Sequence, residues 1–199
     1  MATDRQLNRI CVFCGTNTGS RPEYGAAARE LGQILAEQDI ELVYGGGSVG
    51  IMGELADSVH EHGGHVTGII PQQLMEKEEA HTGIRNLIVV ASMHQRKSQM
   101  ADMSDGFIAL PGGIGTLEGF FEILTWGQLG IHAKPSAILN VAGYFDGLTG
   151  FLDHAVREGF LTEVHRHAIM VESDPGRLLQ RMRAYIPPEG APLMGRTHR

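Results

Sequence analysis

Residues 111–118 of this 199-residue chain read Pro-Gly-Gly-Ile-Gly-Thr-Leu-Glu. Gly112, Gly113 and Gly115 allow backbone N–H groups to approach a bound anion, and the helix that the run opens adds partial positive charge at its N-terminus, beside Thr116. Glu118 then places a carboxylate inside the first helical turn. Glu122 lies one turn later and Thr125 shares that side, whereas Leu117, Phe120, Phe121 and Leu124 form the stripe expected to face the core. Two carboxylates and a hydroxyl therefore face away from the core beside an anion cradle, where carboxylates can do acid–base work. The plainer alternatives are a solvated helix face and a Glu118 that only complements the helix dipole. A run such as PGGIGT rarely precedes a merely solvated helix, which favours chemistry. Residues 93–97, Met-His-Gln-Arg-Lys, open a second helix whose start puts two cations near the same edge. Arg96 can hold a phosphate or a purine, or neutralise charge beside Glu118; a surface cation pair is the alternative.

A further glycine-rich turn contains Gly45, Gly46 and Gly47, and Gly45, Gly47 and Gly50 spell GxGxxG between a strand and a helix. A dinucleotide site needs an acidic residue for the ribose at the end of the next strand, where Ile69, Ile70 and Pro71 stand instead, so NAD is disfavoured. No GxxxxGK[ST] occurs, which excludes a Walker phosphate loop. Turns after the strands ending at Cys14, Tyr44 and Leu110 should share one edge and line one crevice, with a phosphorylated small molecule as the guest; for residues 45–50 a simple chain reversal is the equal alternative. His60 and His62 are two apart on a helix and do not face each other, and with His65 they read as surface residues, so no metal site is expected. Cys11 and Cys14 have CxxC spacing, but three residues along a strand send side chains to opposite faces, which favours burial over redox chemistry.

These turns need a scaffold, and the apolar pattern supplies one. Strands are expected at residues 9–14, 41–44, 66–70, 87–90, 106–110, 136–140 and 168–171. Helices are expected at 22–38, 52–62, 93–103, 116–128, 145–158 and 174–185. Ser20 and Glu23 have the form of a capping box, and Pro22 suits a first turn. Residues 71–86 form a long polar connection carrying Glu76, Glu78 and Glu79, a candidate mobile cover. Strands that are apolar throughout are buried on both faces, so the expected class is α/β: a doubly wound parallel sheet, Rossmann-like, with helices on both faces. Residues 1–186 are expected to form one domain and 187–199 a disordered tail.

Composition narrows the partners. A net charge of −7 argues against a nucleic acid polymer, whose binders carry a basic stripe. Apolar runs are far shorter than the ~20 residues of a membrane span, and residues 1–9 are polar without an apolar signal core, so a cytoplasmic protein is expected. The 27 glycines, about twice the usual ~7% share, indicate tight turns or close approaches at many points.

PGGIGTLE together with MHQRK resembles the LONELY GUY family of cytokinin-activating phosphoribohydrolases, often mislabelled lysine decarboxylases. The likeness extends through VFCG at 12–15, YGGGSVGIMG at 44–53, TWGQLG at 125–130 and LNVAGYFDG at 139–147, nearly the whole chain except its ends. The resemblance implies hydrolysis of the N-glycosidic bond of a cytokinin riboside 5′-monophosphate or AMP, releasing free base and ribose 5-phosphate. It also implies homo-oligomers, commonly dimers, working without a metal or organic cofactor. Carried onto matching positions, it makes Arg96 and Glu118 the catalytic pair, with Lys97, Gly112, Gly113, Gly115, Thr116 and Thr125 binding the nucleotide. Glu122, Gly45, Gly46, Gly47 and Glu79 complete the candidate substrate contacts, although the acidic loop matches the family less cleanly. The chain departs from the pattern at Gln95, usually Glu, and at Gly119, often acidic. Two rivals remain: a pyridoxal-phosphate decarboxylase, for which Lys77, Lys97 and Lys134 are the lysines of the chain, and a nucleotide carrier or sensor without catalysis.

Overall fold

The computed structural model describes residues 5–75 and 80–188. Seven strands, β1 (Arg9–Phe13), β2 (Glu41–Tyr44), β3 (Val66–Pro71), β4 (Asn86–Val90), β5 (Gly106–Ala109), β6 (Ser136–Leu139) and β7 (Ile169–Glu172), form one all-parallel sheet. Their order is β4-β3-β2-β1-β5-β6-β7. The chain winds outward from β1 to one edge, returns to β5, and winds to the other edge, so the topological switch point lies between β1 and β5. Crevices outside the carboxyl ends of strands at such a point are where ligands enter open α/β sheets.

Alternation along the strands divides the core in two. Ile10, Val12, Leu42, Tyr44, Ile108 and Leu110 meet Leu31 and Leu35 of α1 (Pro22–Glu37), Leu55 and Val59 of α2 (Gly50–Glu61), and Leu178 and Met182 of α7 (Pro175–Arg183). Cys11, Phe13, Val43, Phe107 and Ala109 meet Met100 of α3 (Met93–Met103), Phe120 and Ile123 of α4 (Ile114–Gln128), and Leu152 of α5 (Asp146–Arg157). Each fully buried aliphatic or aromatic side chain contributes roughly 1.5–3 kcal/mol relative to exposure. Cys11 and Cys14 are free thiols in opposite layers, as the strand period requires. No described helix is long and apolar enough to cross a membrane.

Several local expectations change. α1 starts at Pro22 with Arg21 as N-cap and no side-chain cap, so Ser20 and Glu23 do not form a capping box; the proline itself pre-sets the first turn. A six-residue helix, α6 (Glu163–Ala168), capped by the Thr162 hydroxyl, precedes β7, and no periodicity announces an element that short. α4 begins at Ile114, two residues before the expected start, and its buried face is Thr116, Gly119, Phe120 and Ile123. Leu117, Phe121 and Leu124 flank that face half-buried. The rotation has a steric cause: a Cβ on residue 119 would sit 2.8 Å from the Phe13 ring, so glycine there lets the helix lie directly on β1. Within the connection 71–86, Gln72–Leu74 form one 3-10 turn and Ala80 bridges to Gly47. Glu76, Glu78, Glu79 and most of the expected tail lie outside the described residues.

Candidate active site

The turns after β1, β2 and β5 meet at the switch point, and glycine is what lets them touch. The Gly15 N–H donates to the Pro111 carbonyl (3.0 Å), and the Gly15 carbonyl accepts from the Met52 N–H (3.2 Å). A Cβ on Gly15 would stand 3.1 Å from the Gly112 Cα, and one on Gly112 would stand 2.1 Å from the Thr116 hydroxyl oxygen. Backbone therefore packs on backbone, leaving a cavity of about 480 Å³, within the range of small-molecule sites. Of the sequence-derived candidates, Gly45, Arg96, Lys97, Gly112, Gly113, Gly115, Thr116 and Glu118 line it.

Gly46, Gly47, Glu122 and Thr125 do not line the cavity. Gly46 has φ +79° and accepts the His81 N–H on its carbonyl (2.8 Å), and Gly47 pairs with Ala80, so both serve the chain's own folding. The Thr125 hydroxyl donates to the Phe121 carbonyl (2.8 Å) one turn back. Glu79 lies outside the described residues.

α3 delivers the two cations. Its N-cap Ser92 accepts the Gln95 N–H (3.2 Å), and the Gln95 side-chain oxygen accepts the Ala91 N–H (2.9 Å). Gln95 is thus a capping residue, a task in which a glutamate oxygen accepts equally well. The start of the helix being fixed, Arg96 and Lys97 point inward and both are buried. Arg96 Nε donates to the Ile69 carbonyl (3.0 Å) and Nη2 to the Gly45 carbonyl (2.5 Å), joining the ends of β2 and β3. Lys97 Nζ forms a hydrogen-bonded ion pair with Glu118 and lies 2.9 Å from Glu122 Oε2. Burial opposes the lysine charge, but its hydrogen bonds and attraction to the two carboxylates prevail and hold the amine above the ordinary lysine range. Glu118, in contrast, leaves 52% of its side chain exposed. A carboxylate gripped on one side and open on the other faces the space beside the glycine loop and the start of α4.

Lys134 Nζ donates to the Ala101 carbonyl (2.8 Å). Lys97, held charged between carboxylates, does not offer the deprotonated amine that a pyridoxal Schiff base requires. Among the described residues no group of three or more His, Cys, Asp or Glu is placed to hold a metal ion. Sequence reasoning missed Tyr24, Met93, Met100 and Tyr144, which also line the cavity. Met93 within MHQRK and Tyr144 within LNVAGYFDG lay in motifs that offered a signal, and a local pattern could not show where either side chain goes.

Residues 52–182 match a family model described as possible lysine decarboxylase. The chain is 49% identical over 182 residues to a probable cytokinin riboside 5′-monophosphate phosphoribohydrolase, LOGL9, of Oryza sativa subsp. japonica, covering 92% of this chain and 80% of that protein. It is 49% identical over 185 residues to cytokinin riboside 5′-monophosphate phosphoribohydrolase LOG7 of Arabidopsis thaliana, covering 93% and 85%. Among solved structures it resembles the molybdenum cofactor binding protein of Rippkaea orientalis, with TM-score 0.67, 22% identity and coverage of 90% and 97% of the two chains. The Moco carrier protein of Chlamydomonas reinhardtii gives TM-score 0.65, 21% identity and coverage of 88% and 99%. At such identity these two establish a shared fold and nothing about what the cavity holds.

Proposed function

Because this chain belongs to the LONELY GUY family of cytokinin riboside 5′-monophosphate phosphoribohydrolases, we propose that its switch-point cavity hydrolyses the N-glycosidic bond of a cytokinin riboside 5′-monophosphate or AMP. Water adds to C1′ of the ribose, the C1′–N bonding pair leaves with the base, and the proton released from water ends on the base. The products are free base and ribose 5-phosphate. Cleavage builds oxocarbenium character on the sugar, and a carboxylate is the side chain that stabilises it. Glu118 takes that role and orients or deprotonates the attacking water. Lys97 and Glu122 hold Glu118 in place. Arg96 supplies fixed positive charge on the wall toward the departing base, while Gly112, Gly113, Gly115 and Thr116 take the 5′-phosphate, using remote binding energy to orient the bond that breaks.

The observation that carries this reading is the half-exposed Glu118 carboxylate beside a glycine loop that opens a helix, with a buried ammonium behind it. Incubation with AMP and with isopentenyladenosine monophosphate, followed by detection of free base and ribose 5-phosphate, tests it. Tight binding of either compound with no release of base would identify a carrier instead.

We also propose a homodimer or larger homo-oligomer. Leu117, Phe121 and Leu124 on α4 are only half-buried and Ile114 is 87% exposed, an apolar surface that a second copy would cover. Light scattering at the mass of one chain would refute this. Two unpaired cysteines suit the reducing cytoplasm, where we place the enzyme.

A further inference from the structure

Three consecutive carbonyls of the loop after β5 are held, the outer two by backbone donors and the middle one by a side chain. The Pro111 carbonyl accepts from the Gly15 N–H (3.0 Å), and the Gly113 carbonyl accepts from the Leu117 N–H within α4 (3.2 Å). Both are backbone bonds that the fold supplies. The middle carbonyl, that of Gly112, accepts instead from a side chain, the Tyr144 hydroxyl, at 2.6 Å and 32 residues away in sequence. Gly112 and Gly113 are the pair most free to rotate their shared peptide plane, since neither has a Cβ.

The turn that presents Tyr144 is built for that placement. Between β6 and α5 the chain passes through a 3-10 turn at Val141–Gly143, in which Ala142 takes φ 50° and Gly143 φ 72°. Arg21 donates to the Ala142 carbonyl (3.2 Å), and the Asn140 side chain accepts the Phe145 N–H (2.7 Å). The Tyr144 ring meets Tyr24 of α1 edge-on at 5.4 Å and Phe145 at 4.9 Å. Its direction is therefore set by packing, and the hydroxyl is left to reach Gly112.

We infer that Tyr144 is a positioning residue for the phosphate end of the site: its hydroxyl locks the Gly112–Gly113 peptide plane and so presets the loop's amides for an anion. In a planar trans peptide the C=O and N–H point in opposite directions, so fixing the Gly112 oxygen also fixes the Gly113 N–H. The inference rests on the proposal that this loop takes the 5′-phosphate.

Tyr144→Phe keeps the ring and deletes only the bond. Equilibrium binding of AMP and of adenosine, measured in a Glu118→Gln background with and without Tyr144→Phe, separates the possibilities. AMP should bind about five- to tenfold more weakly without the hydroxyl, the worth of one hydrogen bond, while adenosine binding stays constant. In the otherwise native enzyme KM should rise by a similar factor with kcat within about twofold. Equal weakening of AMP and adenosine, or unchanged AMP binding, overturns the inference and leaves the phosphate reading intact. Should AMP bind no tighter than adenosine with Tyr144 present, the phosphate reading falls, and the inference with it.

Discussion

The Arg96 guanidinium occupies the space that a side chain at residue 45 would fill. A Cβ on Gly45 would stand 2.3 Å from Nη2, the same nitrogen that donates to the Gly45 carbonyl at 2.5 Å. The glycine and the arginine, 51 residues apart, therefore form one unit. Gly45→Ala should displace the guanidinium, leaving buried carbonyls unpaired at a cost of about 1–3 kcal/mol and lowering turnover with it. Denaturant melts and steady-state kinetics on the same preparation check both effects; a stable, fully active Gly45→Ala protein would refute the coupling.

Replacing Glu118 by Gln removes the negative charge without changing shape. Turnover should fall by about 10²–10⁴-fold while AMP affinity changes little, since the loop rather than the carboxylate holds the phosphate. Single-turnover assays beside calorimetric titration make the comparison. Unchanged turnover would take Glu118 out of the mechanism.

The glycines of the loop are not equivalent. A Cβ on Gly112 meets the Thr116 hydroxyl at 2.1 Å and the Gly15 nitrogen at 2.7 Å, whereas one on Gly113 or Gly115 meets nothing within 4 Å. Gly112→Ala should destabilise the fold and abolish activity. Gly115→Ala should keep or raise the melting temperature, because alanine is favoured over glycine in a helix by up to ~1 kcal/mol. Thermal melts of the two variants should diverge in sign.

Lys97 carries a pH signature. Its folded-state pKa is raised by Glu118 and Glu122 against the opposing effect of burial. Its stabilisation is therefore complete below the ordinary lysine value of ~10.4 and is lost as pH rises through the higher folded value. Lys97→Met should abolish that component of alkaline destabilisation. It should also leave Glu118 without the ammonium that grips it, lowering turnover. Unchanged steady-state turnover would show that the ammonium does not position the carboxylate.

Both cysteines should be silent toward thiol reagents. Burial pushes the Cys14 thiol up to about 12 and Cys11 higher still, further assisted by its neighbour Cys14. Native protein at pH 8 should release almost no thionitrobenzoate from Ellman's reagent, and guanidinium-unfolded protein two equivalents per chain. Raised thiol values also mean that this contribution to stability is complete below the ordinary value of 9.0 and drains away as pH climbs toward 12.

Much of this architecture is written locally. Apolar runs such as RICVF and GFIA need both faces covered, so they form interior parallel strands, and α3 falls at residues 93–103 as the pattern predicts. The orientation of α4 was less legible, because Phe120 fits either stripe and the deciding contact is Gly119 against Phe13 on a strand over a hundred residues earlier. α6 was hidden by its length, and the capping box at Ser20 lost to a proline that starts the helix without it.

The amino-acid order alone determined the alternation of strands and helices, the glycine turns at the strand ends, and the types of charged side chain that follow them. These depend on neighbours within one or two helical turns. Tertiary structure decided that β1 lies beside β5, so that the turns at Gly15 and Gly112 interlock, that Lys97 sits between Glu118 and Glu122, and that Tyr144 reaches the Gly112 carbonyl. Those relations join residues far apart along the chain, and they exist only once burial of both sheet faces has selected the strand order.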